Sequence, residues 1–325
     1  MKKSQKHFSY YIRNLQAKSN MKTEDYKVID LFCGCGGLSL GFQNAGYHIA
    51  SAFDWWDVAL NIYQKNFSHP AVKRDLSNIE DLTDLEALHP DIIIGGPPCQ
   101  DYSTAGHMDE NRGRAALTVS YAKIVEHIKP KYFLMENVAV IEKSKTLKVV
   151  NKIFKDAGYG LTQLVLDASK CGVPQKRMRF ITFGVLGGKD GAAEEIFKSG
   201  QSEKPMTMRD YFGDTLGFEH YFRVPTNYSR RGVYSIDEPA MTIRGVDRPV
   251  PKGYKGHPAD SAPITPDIRT LTYQERSWVQ TFPKDFIWEG SKTNINQIIG
   301  NAVPVKLAEY IANCITKYIA ENEGN

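Results

Sequence analysis

Residues 27–42, KVIDLFCGCGGLSLGF, carry the reading from which the rest of the chain follows. KVIDLF is a short apolar run of the kind a buried strand presents. It breaks into CGCGG at 33–37 and resumes as LSLGFQNAG with helical spacing. A strand that passes through glycines straight into a helix leaves bare backbone and a helix N-terminus at the strand's carboxyl end, where a ligand can approach closely. The spacing is not the G-x-G-x-x-G of a dinucleotide site, which disfavours a nicotinamide dehydrogenase. A tight structural turn would use the same glycines.

The same alternation continues outward. HIASAFD (48–54) reads as a second strand and WWDVALNIYQKNF (55–67) as a helix. DIIIGG (91–96) and KYFLMEN (131–137) are further strands, separated by the helical spacing of ALTVSYAKIVEHI (116–128). TLKVVNKIFKDAGY (146–159) is a helix with a glycine stop, followed by the strands YGLTQLVLDA (159–168) and RMRFITFGVL (177–186). Strands alternating with helices predict an α/β fold with a doubly wound parallel sheet. Residues 186–268 lose this rhythm and are rich in Gly, Pro, Arg and Tyr. TYQERSWVQTF (272–282) resumes helical spacing, and a last helix from near Val303 places Leu307, Ala308, Ile311, Ala312, Ile315 and Ile319 on one apolar face. The expected organisation is an extension (1–26), a first domain (27–185), a small irregular insertion (186–268) and a segment returning to the first domain (269–325).

Composition excludes several classes. The chain has 325 residues, of which 42% are hydrophobic, and a formal net charge of +4. No stretch reaches the roughly 18 unbroken apolar residues of a membrane helix. The N-terminus, MKKSQKHFSYYIRNLQAK, has no apolar run behind its charges, so no secretory signal is expected and the cytoplasm is the expected location. Five cysteines without regular spacing argue against a disulfide framework. Cys33 and Cys35 lack the partners of a zinc site, so no metal is expected. Arg and Lys gather at 112–114, 176–179 and 223–255, which suits a polyanionic partner.

Several residues stand where such sheets bind ligands, at the carboxyl ends of strands. Asp54 ends the second strand, where a carboxylate can accept from ribose hydroxyls; Trp55 follows it and could lie against an adenine ring, although Trp55 or Trp56 would equally serve as core. Asp75, in KRDLSNIE, suits an adenine amino group or a helix cap. In GGPPCQDYSTAG two prolines fix φ just before Cys99, which holds a thiol rigidly at the sheet edge. Glu136 and Asn137 end an apolar strand. Arg177 and Arg179, two apart at a strand start, share a face.

Together and in this order, DLFCGCGG, GGPPCQDYS, MENV, QKRMR, RTLTYQERSWVQTFP and GNAVP resemble motifs of the DNA (cytosine-5) methyltransferase family, of the bacterial restriction–modification type. The resemblance runs from Lys27 to Ile319. Cys33 and Cys35 depart from the usual cofactor loop, and Tyr102 replaces a usual Phe. The resemblance implies a Rossmann-like catalytic domain that binds S-adenosyl-L-methionine, with a target-recognition domain at 186–268. It implies Cys99 as the nucleophile that adds to carbon 6 of a flipped-out cytosine, and Glu136 as the acid at N3. It gives Arg177 the pyrimidine oxygen and sugar-phosphate, with Arg179 as its supporting neighbour. Phe32, Gly34, Gly36, Gly37, Leu38, Asp54, Trp55, Asp75, Leu76, Pro97, Leu117 and Asn301 are the implied cofactor contacts. Residues 100–116 look like a loop that closes over the flipped base, with Arg112 and Arg114 toward phosphates. Arg230, Arg231, Arg244 and Arg248 are candidates for contact with the duplex, Arg244 as a base reader. The expected partners are double-stranded DNA and a restriction endonuclease acting on the same site without a stable complex; the chain is expected to be a monomer. The competing readings are a transfer-RNA cytosine methyltransferase and a non-catalytic DNA-binding protein on the same fold.

Overall fold

In a computed structural model of the chain, residues 22–98, 114–225, 230–246 and 248–323 are described. Their centre is a seven-stranded sheet in the order β3-β2-β1-β4-β5-β8-β6. Its strands are β1 (Lys27–Leu31), β2 (His48–Asp54), β3 (Ala71–Lys73), β4 (Ile92–Gly95), β5 (Tyr132–Val138), β6 (Tyr159–Asp167) and β8 (Met178–Leu186). The first five run parallel. β8 departs from the expected parallel sheet and lies antiparallel to both β5 and β6. The physical reason is the link from β6 to β8, which is too short to hold the crossover helix that a parallel neighbour requires.

Helices cover both faces. On one face α1 (Gly37–Asn44), α6 (Glu194–Ser199) and the C-terminal α10 (Val305–Glu323) bury Leu38, Phe42, Phe197, Leu307, Ile311 and Ile315 against the sheet. On the other, α3 (Thr83–Glu86), α4 (Arg114–Ile128) and α5 (Lys145–Asp156) bury Leu85, Tyr121, Ile124, Val150 and Phe154. The Ser144 hydroxyl caps α5 by accepting from the Leu147 N–H. α2 (Asp57–Asn66) packs beside β2 and β3. The C-terminal helix thus returns to the first domain. A Cβ on Gly41 of α1 would stand 2.3 Å from the Ala308 Cβ and 2.6 Å from the Glu309 nitrogen, so the two helices touch backbone to backbone.

The irregular region holds α7 (Met208–Phe212), the antiparallel pair β9 (His220–Phe222) and β10 (Val233–Ser235), and β11 (Ala240–Met241), which pairs in parallel with β7 (Gln175–Lys176). Apolar packing crosses the sequence boundary at 186, because Ala193, Ile196 and Phe197 belong to the core of the large sheet. Met208, Tyr221, Tyr234 and Ile243 share a second core with Val279 of α8 (Tyr273–Val279) and Ile295 and Ile299 of α9 (Lys292–Asn301).

Candidate active site

The glycine loop sits at the carboxyl edge of β1 with its backbone in the left-handed region at Phe32 (φ 60°), Gly34 (φ 54°) and Gly36 (φ 95°). A side chain rarely adopts this region, so the loop depends on glycine at two of these three positions. A Cβ on Gly34 would meet nothing within 4 Å, which leaves the loop open there. A Cβ on Gly37 would lie 2.2 Å from the Val303 carbonyl oxygen, so the loop rests on the segment that follows Asn301. One Asp54 oxygen accepts from the Gly34 N–H at 2.8 Å and the other from the Trp56 N–H at 2.9 Å. Burial raises the Asp54 pKa above the usual carboxylate value. Trp55 is 62% exposed and presents its indole beside the loop, whereas Trp56 packs into the core. Leu38, Leu76 and Pro97 are buried, Leu117 is half-buried, and Asn301 lies exposed at the end of α9. Asp75 is exposed and accepts from the Ser77 N–H and hydroxyl, so in this structure it caps its own turn.

Cys99 lies outside the described residues, as do Arg112 and the rest of the 99–113 segment. The α4 backbone begins at Arg114. What holds the approach to Cys99 is described. The Asn137 side-chain amide donates to the Pro97 carbonyl at 3.2 Å. Glu136 is 7% exposed and ion-pairs with Nε of Arg179 at 2.8 Å. A Cβ on Gly96 would come 3.3 Å from a Glu136 oxygen. The ends of β4, β5 and β8 therefore converge on the residues leading to Cys99. Cys33, Cys35, Cys171 and Cys314 are all buried, and burial pushes their thiols up, Cys314 to about 12. None of those four resembles an activated nucleophile.

Arg177 requires a correction. It is 1% exposed, and its guanidinium donates to the carbonyls of Ile243, Gly300 and Ala302 at 2.9–3.1 Å. It ties the 243 segment to the end of α9, and Arg179 is the one that meets Glu136. Gln175 and Gln280 extend this buried lattice. Gln175 donates to Gln280 at 2.7 Å and accepts from the Ile243 N–H, and Gln280 donates to the carbonyls of Ile299 and Ala302. The sequence reading gave these glutamines no role, because a buried polar network has no periodic signature. Arg231 is also committed internally: it pairs with Glu238 and lies over the Tyr234 ring at 4.4 Å. Arg230 and Arg248 are exposed. Arg244 lines a groove with Arg223, which the sequence reading did not single out.

This fold, with a glycine loop and a Glu–Arg pair at the same sheet edge, defines a ligand-binding α/β enzyme of the methyltransferase type. The model of the C-5 cytosine-specific DNA methylases matches residues 26–317, and the chain belongs to that family. It is 50% identical over 297 residues to the Type II methyltransferase M.HindV of Haemophilus influenzae, covering 91% of this chain and 98% of that protein. It is 47% identical to the Type II methyltransferase M.HgiDI of Herpetosiphon aurantiacus, covering 90% and 95%. Its fold is similar to a putative DNA modification methyltransferase from an Escherichia coli prophage (TM-score 0.64, 24% identity, 90% and 99% covered). It is also similar to the Dnmt2 methyltransferase of S. pombe (TM-score 0.67, 19% identity, 90% and 98% covered). No helix among the described residues is long and apolar enough to cross a membrane.

Proposed function

We propose that this chain transfers a methyl group from S-adenosyl-L-methionine to carbon 5 of a cytosine flipped out of duplex DNA, with Cys99 as the covalent nucleophile. The observation that supports this reading most is the convergence of Glu136–Arg179 and Asn137–Pro97 at the strand ends beside the open glycine loop.

The residues present fit the cofactor. Both Asp54 oxygens keep lone pairs beyond their backbone donors for a ribose, the Trp55 indole is exposed with Lys73 over its ring, and Gly34 leaves room for a close approach. Phe32, Gly36, Gly37, Leu38, Leu76, Pro97, Leu117 and Asn301 would complete the site. The bound group supplies an electrophilic sulfonium methyl.

The protein's own residues do the rest. Carbon 5 of cytosine is a weak nucleophile. Addition of the Cys99 thiolate to carbon 6 breaks the ring's aromaticity and makes carbon 5 enamine-like; once carbon 5 has taken the methyl, it loses its proton to a water and the ring expels the Cys99 thiolate, which restores aromaticity. Charge then accumulates on the pyrimidine, and Glu136, in its protonated form, is the proposed donor to N3, with Arg179 as its neighbour. Arg179 takes the role next to the base that the sequence reading gave to Arg177. The base must leave the helix first, at a cost of a few kcal/mol in stacking and pairing. Arg112, Arg114, Arg230 and Arg248 are proposed contacts to the duplex. The Type II names of the relatives support a restriction endonuclease that acts on the same site without a stable complex. A monomer suffices, since one flipped base needs no two-fold axis.

The test uses tritiated S-adenosyl-L-methionine with mixed-sequence duplex DNA and with transfer RNA, and a Cys99→Ser variant beside the unaltered chain. Methyl recovered as 5-methylcytosine in DNA and lost in the variant is the expected result. Transfer to RNA alone would replace this reading with the RNA enzyme, and DNA binding without transfer would leave a binding protein.

A further inference from the structure

Two arginines of the insertion face one narrow groove. The Arg223 guanidinium donates to the Thr242 carbonyl at 3.1 Å, and the Arg244 guanidinium donates to the Val224 carbonyl at 2.9 Å. Each segment thus carries the arginine that straps the other. A guanidinium has five N–H donors; Arg223 also hydrogen-bonds the Tyr234 side chain, and both arginines keep donors beyond these contacts. Neither arginine has an ion pair with a carboxylate among the described residues, whereas Arg209, Arg231 and Arg269 of the same region each do. Arg276 lines the same groove and donates to the Arg244 carbonyl, so Arg223 and Arg244 are held half-buried beside a third like charge, with no carboxylate paired to either among the described residues. Burial lowers the pKa of both, and for Arg244 the neighbouring Arg223 lowers it further. Such a pair costs free energy in the unbound protein unless an anion shares it.

The groove's shape restricts that anion. Its walls include Tyr221, Phe222, Ile243 and Leu271, and its volume is about 30 Å³. That space is enough for a phosphate oxygen beside the guanidinium donors. Val246, 64% exposed, stands at the rim beside Arg244. Arg177 donates to Ile243, and Thr242 donates through its hydroxyl to the Lys176 carbonyl, so the 242–244 segment is fixed to the edge that carries Arg179.

We infer that Arg223 and Arg244 together hold one phosphate of the DNA backbone, and so set the position of the duplex over the active site without reading its sequence. Arg244 thereby moves from the base-reading role that its sequence context suggested. The inference rests on duplex DNA being the substrate, which methyl transfer to DNA tests separately.

The experiment measures binding of the full chain to two duplexes of equal length, one that it methylates and one that it does not, between about 50 and 200 mM salt. Arg223→Gln should weaken both duplexes by the same factor and reduce the slope of log affinity against log salt by about 0.9, the value for one lost phosphate contact. Arg223→Lys, which keeps the charge, should retain the slope. A loss confined to the methylated duplex with an unchanged slope would overturn the inference in favour of base reading. No change on either duplex would leave a solvated arginine. Stability effects of the variant are bypassed by neutralising single phosphates as methylphosphonates. One linkage should weaken the unaltered chain several-fold and leave Arg223→Gln unaffected; strictly additive losses at every linkage would also overturn it.

Discussion

At the residue scale, the two arginines on either side of Met178 have different tasks. Arg179 meets Glu136 at the site, while Arg177 satisfies three backbone carbonyls in the interior. Their variants should separate in kcat. Arg177→Met strands buried acceptors and should cost about 3 kcal/mol or more in urea unfolding. Glu136→Gln leaves the largely buried Arg179 charge unpaired, so it should lower the unfolding midpoint as well, but the folded variant should also lose about 10²–10⁴-fold in kcat, the range for a lost proton-transfer group. If both variants changed stability alone, Glu136 would have no part in the chemistry. Asp30, under the glycine loop, makes a second prediction. It is fully buried, accepts from the Ser39 hydroxyl at 2.6 Å, and is pushed up by burial from 3.8 to about 7. Between these values the unfolded chain has released a proton that the folded chain keeps, so stability falls as pH rises through that window. Asp30→Asn lacks this titration and should gain stability relative to the unaltered chain as pH rises from about 4 to 7. A constant difference across that range, read from urea midpoints, would show that Asp30 is already ionised when folded.

At the scale of elements, the contact between α1 and α10 is closed by an absent side chain. Gly41 brings α1 onto Ala308, and α10 seals one face of the sheet with Leu307, Ile311 and Ile315. Gly41→Ala must push the helices apart. Although alanine favours a helix, the variant should be about 1–3 kcal/mol less stable, measured by denaturant unfolding. A stabilised variant would mean that α10 shifts freely. α1 also begins at the glycine loop, so the displacement should raise the KM for the cofactor more than it lowers kcat.

At the scale of the whole molecule, the site is a meeting of distant segments. The insertion reaches the glycine-loop side through Gly300, where a Cβ would lie 2.2 Å from the Gly245 nitrogen and 2.3 Å from the Arg244 carbonyl carbon. Next to Gly300, Asn301 is exposed, and Val303 touches Gly37 of the glycine loop. Gly300→Ala should therefore weaken DNA and cofactor binding together, seen as a rise in both KM values. A change in only one of them would show that the two sides yield independently. Arg177, Gln175 and Gln280 fasten the same junction from below.

Much of this was legible before any coordinates. Strand and helix periodicity marked the sheet's elements, because side-chain alternation follows from backbone geometry alone. The glycine loop was legible because local backbone constraint leaves a residue signature. The short β3, at Ala71–Lys73, escaped because three residues carry no period. The reversal of β8 escaped because a strand's sequence does not state its direction. The tasks of Arg177, Arg223, Arg231 and Gln280 were decided by tertiary structure alone. Each depends on which carbonyl or carboxylate another segment brings within hydrogen-bond distance, and a long polar side chain accepts any such partner. The sequence by itself thus determined the elements and the chemistry available to them, and packing decided which of the identical guanidinium groups stay at the surface and which hold the protein together.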